Sequence, residues 1–73
     1  MAREDVIELN LSRRLINLVS SLTPTLEGLL LMTVINGKTG HVHIRHHASQ
    51  AAEVAAFIAD LESRYPGELS RLG

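Results

Sequence analysis

The chain has 73 residues, a formal net charge of −1 and no cysteine. A chain of this length buries only about 60% of the surface that it exposes when unfolded, so a partner chain is expected to add to its stability. The lack of thiols excludes disulfides and thiolate metal sites, and seven basic against eight acidic residues give no basic surface for nucleic acid. No apolar run approaches the roughly 20 residues of a membrane helix. We therefore expect a single cytoplasmic domain over residues 1–73, with an ordered core over about residues 5–65 and no contact with membranes.

The first predicted element is a β-strand from Val6 to Leu11, because apolar and polar residues alternate there. Three residues share the face that is expected to be buried: Ile7, Leu9 and Leu11. The other three share the polar face: Val6, Glu8 and Asn10.

A helix is predicted to follow, with the Ser12 hydroxyl as its cap. Apolar residues recur at the spacing of one helical face: Leu15, Ile16, Leu18, Val19 and Leu22. Because Pro24 disfavours helical geometry at the residue before it, this helix should end near Leu22. Gly28 then permits a positive φ before the second strand.

Residues 29–47 have the pattern of a β-hairpin. The apolar run from Leu29 to Ile35 is followed by the turn-forming residues 36–40 and then by the run from His41 to His47. If Ile35 pairs with His41, the core side of the hairpin comprises Leu30, Met32, Val34, Val42, Ile44 and His46. The opposite side then carries Leu31, Thr33, Ile35, His41, His43 and Arg45. A bulge at Gly40 would shift this register by about one residue.

The last predicted element is a helix from about Gln50 to Arg64, capped by Ser49. Its apolar arc comprises Val54, Phe57, Ile58, Leu61 and Tyr65. Pro66 and Gly67 end this helix. Residues 68–73 are too few for an assignment and form either one helical turn or a frayed end.

The order strand, helix, strand, strand, helix is that of the ferredoxin-like α+β plan with its fourth strand missing or vestigial. The third strand would then lie in the middle of a three-stranded antiparallel sheet, with both helices on one face. The first strand would keep one edge unpaired, and the face without helices would expose apolar residues. Both features predict a homo-oligomer, most simply a dimer. The predicted interface residues are Val6, Leu31, Thr33, Ile35 and Arg45.

The segment Glu27-Gly28-Leu29-Leu30-Leu31-Met32-Thr33-Val34 and the hairpin after it resemble the small ACT-like regulatory domains, over roughly residues 5–64. That resemblance implies a domain that binds an amino acid or another small effector at a dimer interface and regulates a partner. The glycine-containing loop that this family carries between its first strand and first helix is absent, because Asn10-Leu11-Ser12 leads straight into the helix. No ligand residue is therefore assigned from the resemblance.

His41 and His43 are two residues apart on a strand, so their side chains project from one face with Cα atoms about 7 Å apart. Two imidazoles at this spacing can bind one metal ion, for which Ni²⁺ and Zn²⁺ are the candidates. His47 shares that face but lies about 13 Å beyond His43, and His46 faces the other way. The segment His41-Val42-His43 also resembles the His-x-His of nickel-responsive regulators, which implies a site completed by another subunit. The alternatives are polar side chains on a solvated or interfacial face and a proton-sensitive interface.

Arg13 and Arg14 occupy the first turn of the first helix, where the helix dipole disfavours cations. An anion bound by Ser12, Arg13 and Arg14 at the helix N-terminus would resolve this conflict. The alternative is an ion pair with nearby carboxylates or with a partner chain.

The sequence contains no Ser-His-Asp or paired-carboxylate arrangement. Its aromatic residues, Phe57 and Tyr65, lie on the last helix and not on a sheet face where they could stack on RNA bases. We therefore expect no enzyme, and no cofactor other than Ni or Zn.

The leading hypothesis is a regulatory or interaction module that acts as a homo-oligomer, with a small effector at the subunit interface. A metal-responsive module and a purely structural oligomerisation domain are the alternatives.

Overall fold

The computed structural model describes residues 4–26 and 28–72, with residues 23–26 described by their backbone alone. The first half of the chain contains strand β1 (Glu4–Leu11), helix α1 (Arg13–Leu26) and strand β2 (Leu31–Asn36). The second half contains strand β3 (His41–His47), a 3₁₀ turn (Ala48–Gln50), helix α2 (Ala51–Arg64) and strand β4 (Leu69–Leu72).

Over the described residues the fold is α+β, with two α-helices and a four-stranded antiparallel sheet in the order β2-β3-β1-β4. Every pair of neighbouring strands is antiparallel, and β1 and β3 lie in the interior of the sheet. This order is compatible with a ferredoxin-like arrangement. The α+β class and the central position of β3 are confirmed, whereas the predicted count of three strands is wrong.

The fourth strand closes part of the edge that was predicted to stay open. Gly67 turns the chain with a φ of 79°, and the Ser12 N–H then donates to the Glu68 carbonyl oxygen at 2.8 Å. Leu69 enters the core with 8% of its surface exposed, and β4 pairs with Glu8–Leu11. Four residues are too few for an alternating pattern to stand out in the sequence, so this strand is specified by its contacts with β1.

Helix α1 begins as predicted. The Ser12 Oγ accepts a hydrogen bond from the Leu15 N–H at 3.2 Å, and the Ser12 carbonyl oxygen accepts the first helical bond from the Ile16 N–H at 3.0 Å. The helix continues to Leu26, so its predicted end near Leu22 is wrong. Pro24 lies in the last turn, where its missing N–H removes one hydrogen bond without preventing its neighbours from keeping helical geometry.

The hairpin register is confirmed for the Met32–Ile44 and Val34–Val42 pairs. The predicted pairing of Ile35 with His41 is wrong, because Asn36 pairs with His41 and a bulge lies between Val34 and Asn36. The extra residue therefore sits on β2, before the turn, and not at Gly40. The Asn36 Oδ1 accepts a hydrogen bond from the Lys38 N–H at 3.0 Å and so organises the turn.

Helix α2 begins without the predicted Ser49 cap. The residue before its first turn is Gln50, which makes no side-chain capping bond, and Ser49 lies within the 3₁₀ turn. The Ala51 N–H donates to the Ala48 carbonyl oxygen, so this turn leads directly into the helix. The helix ends at Arg64, as Pro66 and Gly67 predict.

The core lies between the helices and one face of the sheet. Its buried apolar residues are Leu9, Leu11, Leu15, Val19, Leu30, Val42, Ile44, Val54, Ile58, Leu61 and Leu69. Val34 was expected among them, but it is 45% exposed because it lies at the end of the edge strand β2. Because the helices cover one face, the other face of the sheet, here called the open face, carries the side chains of alternate strand residues.

Gly40 sets the close approach of β3 to β1. Its φ is 82°, and a Cβ added there would lie 2.0 Å from the Leu11 carbonyl oxygen. The Leu11 N–H also donates to the Gly40 carbonyl oxygen at 2.8 Å. A side chain at residue 40 would therefore push apart the two interior strands.

The substitution Gly40→Ala should destabilise the fold strongly. A positive φ costs a residue with a side chain about 1–2 kcal/mol, and displacement of the Leu11 backbone adds to that cost. Gly37→Ala is the matched control in the same turn, because an added Cβ meets nothing closer than a Val34 methyl at 4.0 Å. Urea unfolding should show a loss above about 2 kcal/mol for Gly40→Ala and a change within about 0.5 kcal/mol for Gly37→Ala. Equal losses would contradict the close approach.

Candidate metal centre

Glu8, His41 and His43 form a compact group on the open face. The Glu8 Oε1 lies 3.1 Å from the His41 Nε2 and 3.2 Å from the His43 Nε2. The two imidazole rings meet edge to face, with centroids 5.3 Å apart and 76° between their planes. One ligand atom from each residue lies within 4.8 Å of the other two. Two nitrogens and one oxygen are thus within reach of a single metal ion.

Strand pairing positions these three side chains. Glu8 pairs with His43 across β1 and β3, and His41 lies two residues before His43 on the same face. Because Leu11 forms a hydrogen-bonded pair with Gly40, alternation along the ladder makes Glu8–His43 a non-hydrogen-bonded pair. The side chains of such pairs lie closest to each other, so the ladder itself directs Glu8 towards both rings.

The charge of Glu8 is stabilised by the two histidines. Hydrogen bonds from His41 and then from His43 lower the pKa of the Glu8 carboxyl below its ordinary value of 4.5. The Glu8 side chain keeps 48% of its surface exposed, while those of His41 and His43 keep 27% and 29%. The group therefore lies at the surface, in reach of dissolved ions, and carries a carboxylate that stays ionised at neutral pH.

The spacing of the three atoms suits a zinc-type ion. Zn–N and Zn–O bonds of about 2.1 Å at a tetrahedral angle hold two ligand atoms about 3.4 Å apart. The observed separations of 3.1 and 3.2 Å between Glu8 and the two rings are close to this value. The two imidazole nitrogens lie within 4.8 Å of each other, so side-chain rotation would bring all three atoms around one ion.

The structure brings together the two histidines predicted as metal ligands and adds a third residue, Glu8. His47 pairs with Glu4 at the far end of the β1–β3 ladder and lies outside the group. His46 is buried with 6% exposure, and its Nδ1 contacts the His47 carbonyl oxygen at 2.9 Å. The sequence did contain a signal for Glu8, since it lies on the polar face of the strand that the predicted plan places beside β3.

Two of the three residues predicted to bind an anion, Ser12 and Arg14, contact a carboxylate of the same chain. The Ser12 Oγ donates to the Glu68 Oε1 at 2.8 Å, and the Arg14 Nε donates to the same oxygen at 3.1 Å. The Arg14 Nη2 also forms an ion pair with the Glu68 Oε2. These bonds, from Arg14 first and then Ser12, lower the pKa of the Glu68 carboxyl. Arg13 is exposed and stands outside this cluster.

The Glu68 carboxylate therefore occupies the position in which an external anion was predicted. The Arg14 guanidinium also lies over the Tyr65 ring, 4.9 Å from its centroid. These contacts join the start of α1 to the segment that leads into β4. An external anion at this helix terminus would have to displace Glu68, and such binding stays a prediction.

Four of the predicted interface residues share the open face with His41 and His43, namely Val6, Leu31, Thr33 and Arg45. Val6 and Leu31 both pair with Arg45, so the three form a row across β1, β3 and β2. Val6 is 50% exposed and Leu31 is 57% exposed. Thr33 pairs with His43 in the next row, and Ile35 lies at the bulge of β2. A row with Arg45 at its centre and exposed apolar residues at both ends thus runs directly beside the candidate metal centre.

Comparisons with protein-family models, with curated proteins and with solved structures found no significant match to this chain. The resemblance to ACT-like domains therefore stays a prediction. Among the described residues, no helix is long and apolar enough to span a membrane.

The lowered pKa of Glu8 predicts a pH-dependent contribution to stability. A carboxyl whose pKa is lower in the folded than in the unfolded chain stabilises the fold above its unfolded value, and this stabilisation is lost as the pH falls through the folded value. Glu8→Gln should therefore lower the thermal midpoint at about pH 6, and the difference from the native chain should shrink below about pH 4. Calorimetry with a metal chelator present measures this difference.

Glu4→Gln is the matched control, because Glu4 lies on the same strand and the same face, opposite His47. It should leave the pH dependence of the midpoint close to that of the native chain. A Glu8→Gln difference that stays constant from about pH 6 to about pH 3.5 would contradict the link between Glu8 and the two histidines.

Proposed function

We propose that this chain is a divalent-metal-binding module whose ligands are Glu8, His41 and His43. The observation that carries the proposal is the single carboxylate oxygen that lies 3.1 and 3.2 Å from the two imidazole nitrogens. Imidazole nitrogens suit Zn²⁺ and Ni²⁺, and carboxylate oxygens complete many zinc sites. The same three atoms without a metal form a hydrogen-bonded group, so folding prepares the site before an ion arrives.

Three ligands from one chain leave at least one coordination position open. Zinc sites with three protein ligands take water or a group from another molecule in the fourth position. The group lies on the exposed face of the sheet, so this position is directed away from the core. A module of this kind responds to metal through a change in its own stability or in its association, and the proposal requires no reaction.

We expect a stoichiometry of one metal ion per chain, or of one ion per two chains if two chains share the site. Isothermal titration with Zn²⁺ and Ni²⁺ should show that His41→Ala, His43→Ala and Glu8→Gln each weaken binding by at least about 100-fold, since even the loss of an outer-shell partner weakens metal binding 10–100-fold. Binding should also weaken from about pH 7.5 to about pH 5.5, because protons compete with the metal for imidazole nitrogen.

His47→Ala is the matched control, since His47 lies on the same strand and the same face but outside the group. It should bind metal as the native chain does. A chelator should lower the thermal midpoint of the metal-loaded native chain by removing an ion that binds the folded state. No stoichiometric binding by the native chain, or an equal loss on His47→Ala, would contradict the proposal.

We also propose that the module self-associates through its open face as a homodimer. The supporting observation is the row of Val6, Arg45 and Leu31, whose two apolar members are about half exposed beside the metal ligands. Burial of apolar surface drives association at about 25 cal/mol per Å². A second copy seated there would also approach the open coordination position, which fits a metal-responsive site shared between subunits. A small effector at this interface is the corresponding hypothesis for an ACT-like module.

The substitution Leu31→Lys should disrupt the dimer, because a cation would have to be desolvated at the interface. Val34→Lys is the matched control, since Val34 lies on the same strand at similar exposure, 45% against 57%, but on the opposite face. Light scattering after size exclusion should give a dimer mass for the native chain and for Val34→Lys, and a monomer mass for Leu31→Lys. A native chain that stays monomeric with and without Zn²⁺ would contradict self-association.

A further inference from the structure

Asn10 carries a buried oxygen beside the candidate metal centre. On the open face it pairs with His41 of β3 and with Ser70 of β4. Its Oδ1 is buried and has no hydrogen-bond partner among the described residues. A buried amide oxygen without a donor costs free energy, so the state in which it gains a donor is favoured.

No nitrogen of the His41 ring forms a hydrogen bond with this oxygen when no metal is bound. The His41 Nε2 lies 3.1 Å from the Glu8 carboxylate oxygen, and a ring that donates one proton to that oxygen carries it on Nε2. The other nitrogen, Nδ1, then carries a lone pair and accepts hydrogen bonds instead of donating them. The Asn10 Oδ1 is also an acceptor, and the two atoms cannot bond to each other.

A metal ion on Nε2 reverses this arrangement. The ion replaces the proton there, and a neutral imidazole then carries its proton on Nδ1. Metal-bound histidines nearly always donate this second N–H to an oxygen, which fixes the orientation of the ring. The loaded site therefore needs an acceptor near the His41 Nδ1.

We propose that Asn10 is a positioning residue for the metal site, with its Oδ1 accepting a hydrogen bond from the His41 Nδ1–H when a metal is bound to Nε2. This inference rests on the proposed metal-binding function. The pairing makes it feasible, because Asn10 and His41 form a non-hydrogen-bonded pair, in which Cβ atoms lie about 4.5–5.5 Å apart. Both side chains extend far enough from Cβ to meet across that gap.

The affinity of the full chain for Zn²⁺ tests the proposal. Asn10→Ala should weaken binding by about tenfold or more, the loss found when the outer partner of a ligating histidine is removed. Asn10→Asp keeps an acceptor oxygen and should restore tight binding. The matched control is Ser70→Ala, which removes a polar side chain from the other neighbour of Asn10 on the same face and should leave the affinity unchanged.

Nitrogen-15 NMR of the imidazole rings gives a second readout. In the native chain at about pH 7.5, addition of Zn²⁺ should move the His41 proton from Nε2 to Nδ1 and slow the exchange of that proton with water. In Asn10→Ala the exchange should stay fast. A native chain that binds no Zn²⁺ would overturn the proposed function itself. A native chain that binds Zn²⁺, with Asn10→Ala binding equally tightly or His41 bound through Nδ1, would overturn the role of Asn10 alone.

Discussion

In the described part of the chain, seven residue pairs join β1 to β3, and this ladder determines both faces of the sheet. One set of alternate residues, which includes Leu9 and Val42, forms part of the core beneath the helices. The other set places Glu8 against His43 and Asn10 against His41. A shift of one residue between these strands would expose the core set and bury the polar set. Because Gly40 has no side chain, its backbone can lie close to the backbone of Leu11. This contact stabilises the pairing of β1 with β3 and so also aligns the candidate ligands.

A second constraint on strand pairing comes from Glu68, which joins the start of α1 to the segment before β4. Its carboxylate accepts hydrogen bonds from Ser12 and Arg14, and its carbonyl oxygen accepts one from the Ser12 N–H. These contacts direct the chain after α2 back along β1, where Leu69 completes the core. The negative charge of Glu68 near the start of α1 interacts favourably with the helix dipole. It also compensates for the positive charge of Arg14 in the first turn. An internal carboxylate thus resolves this conflict for Arg14.

The open face combines two features that act together in the proposed function. On this face the Glu8 carboxylate is in hydrogen-bond contact with the imidazoles of His41 and His43. The row beside Glu8 and His43 leaves Val6 and Leu31 about half exposed. A metal held there would have its open coordination position on the side from which a second copy would approach. Metal binding and association would then stabilise each other, because each adds favourable contacts to the state that the other requires.

Much of the fold follows from the sequence, because residue periodicity and turn residues are local. They determined β1, the cap and stripe of α1, the hairpin from Leu31 to His47 and the extent of α2. They also placed His41 and His43 on one face. Only the tertiary structure decided the fourth strand, the bulge at Ile35 and the exposure of Val34. It alone brought Glu8 to the two histidines and Glu68 to Arg14. The fourth strand and these two clusters join residues far apart in the chain, and such contacts exist only once the strands have paired. The bulge and the exposed Val34 lie within the hairpin, where the sequence pattern does not fix which residue is left unpaired.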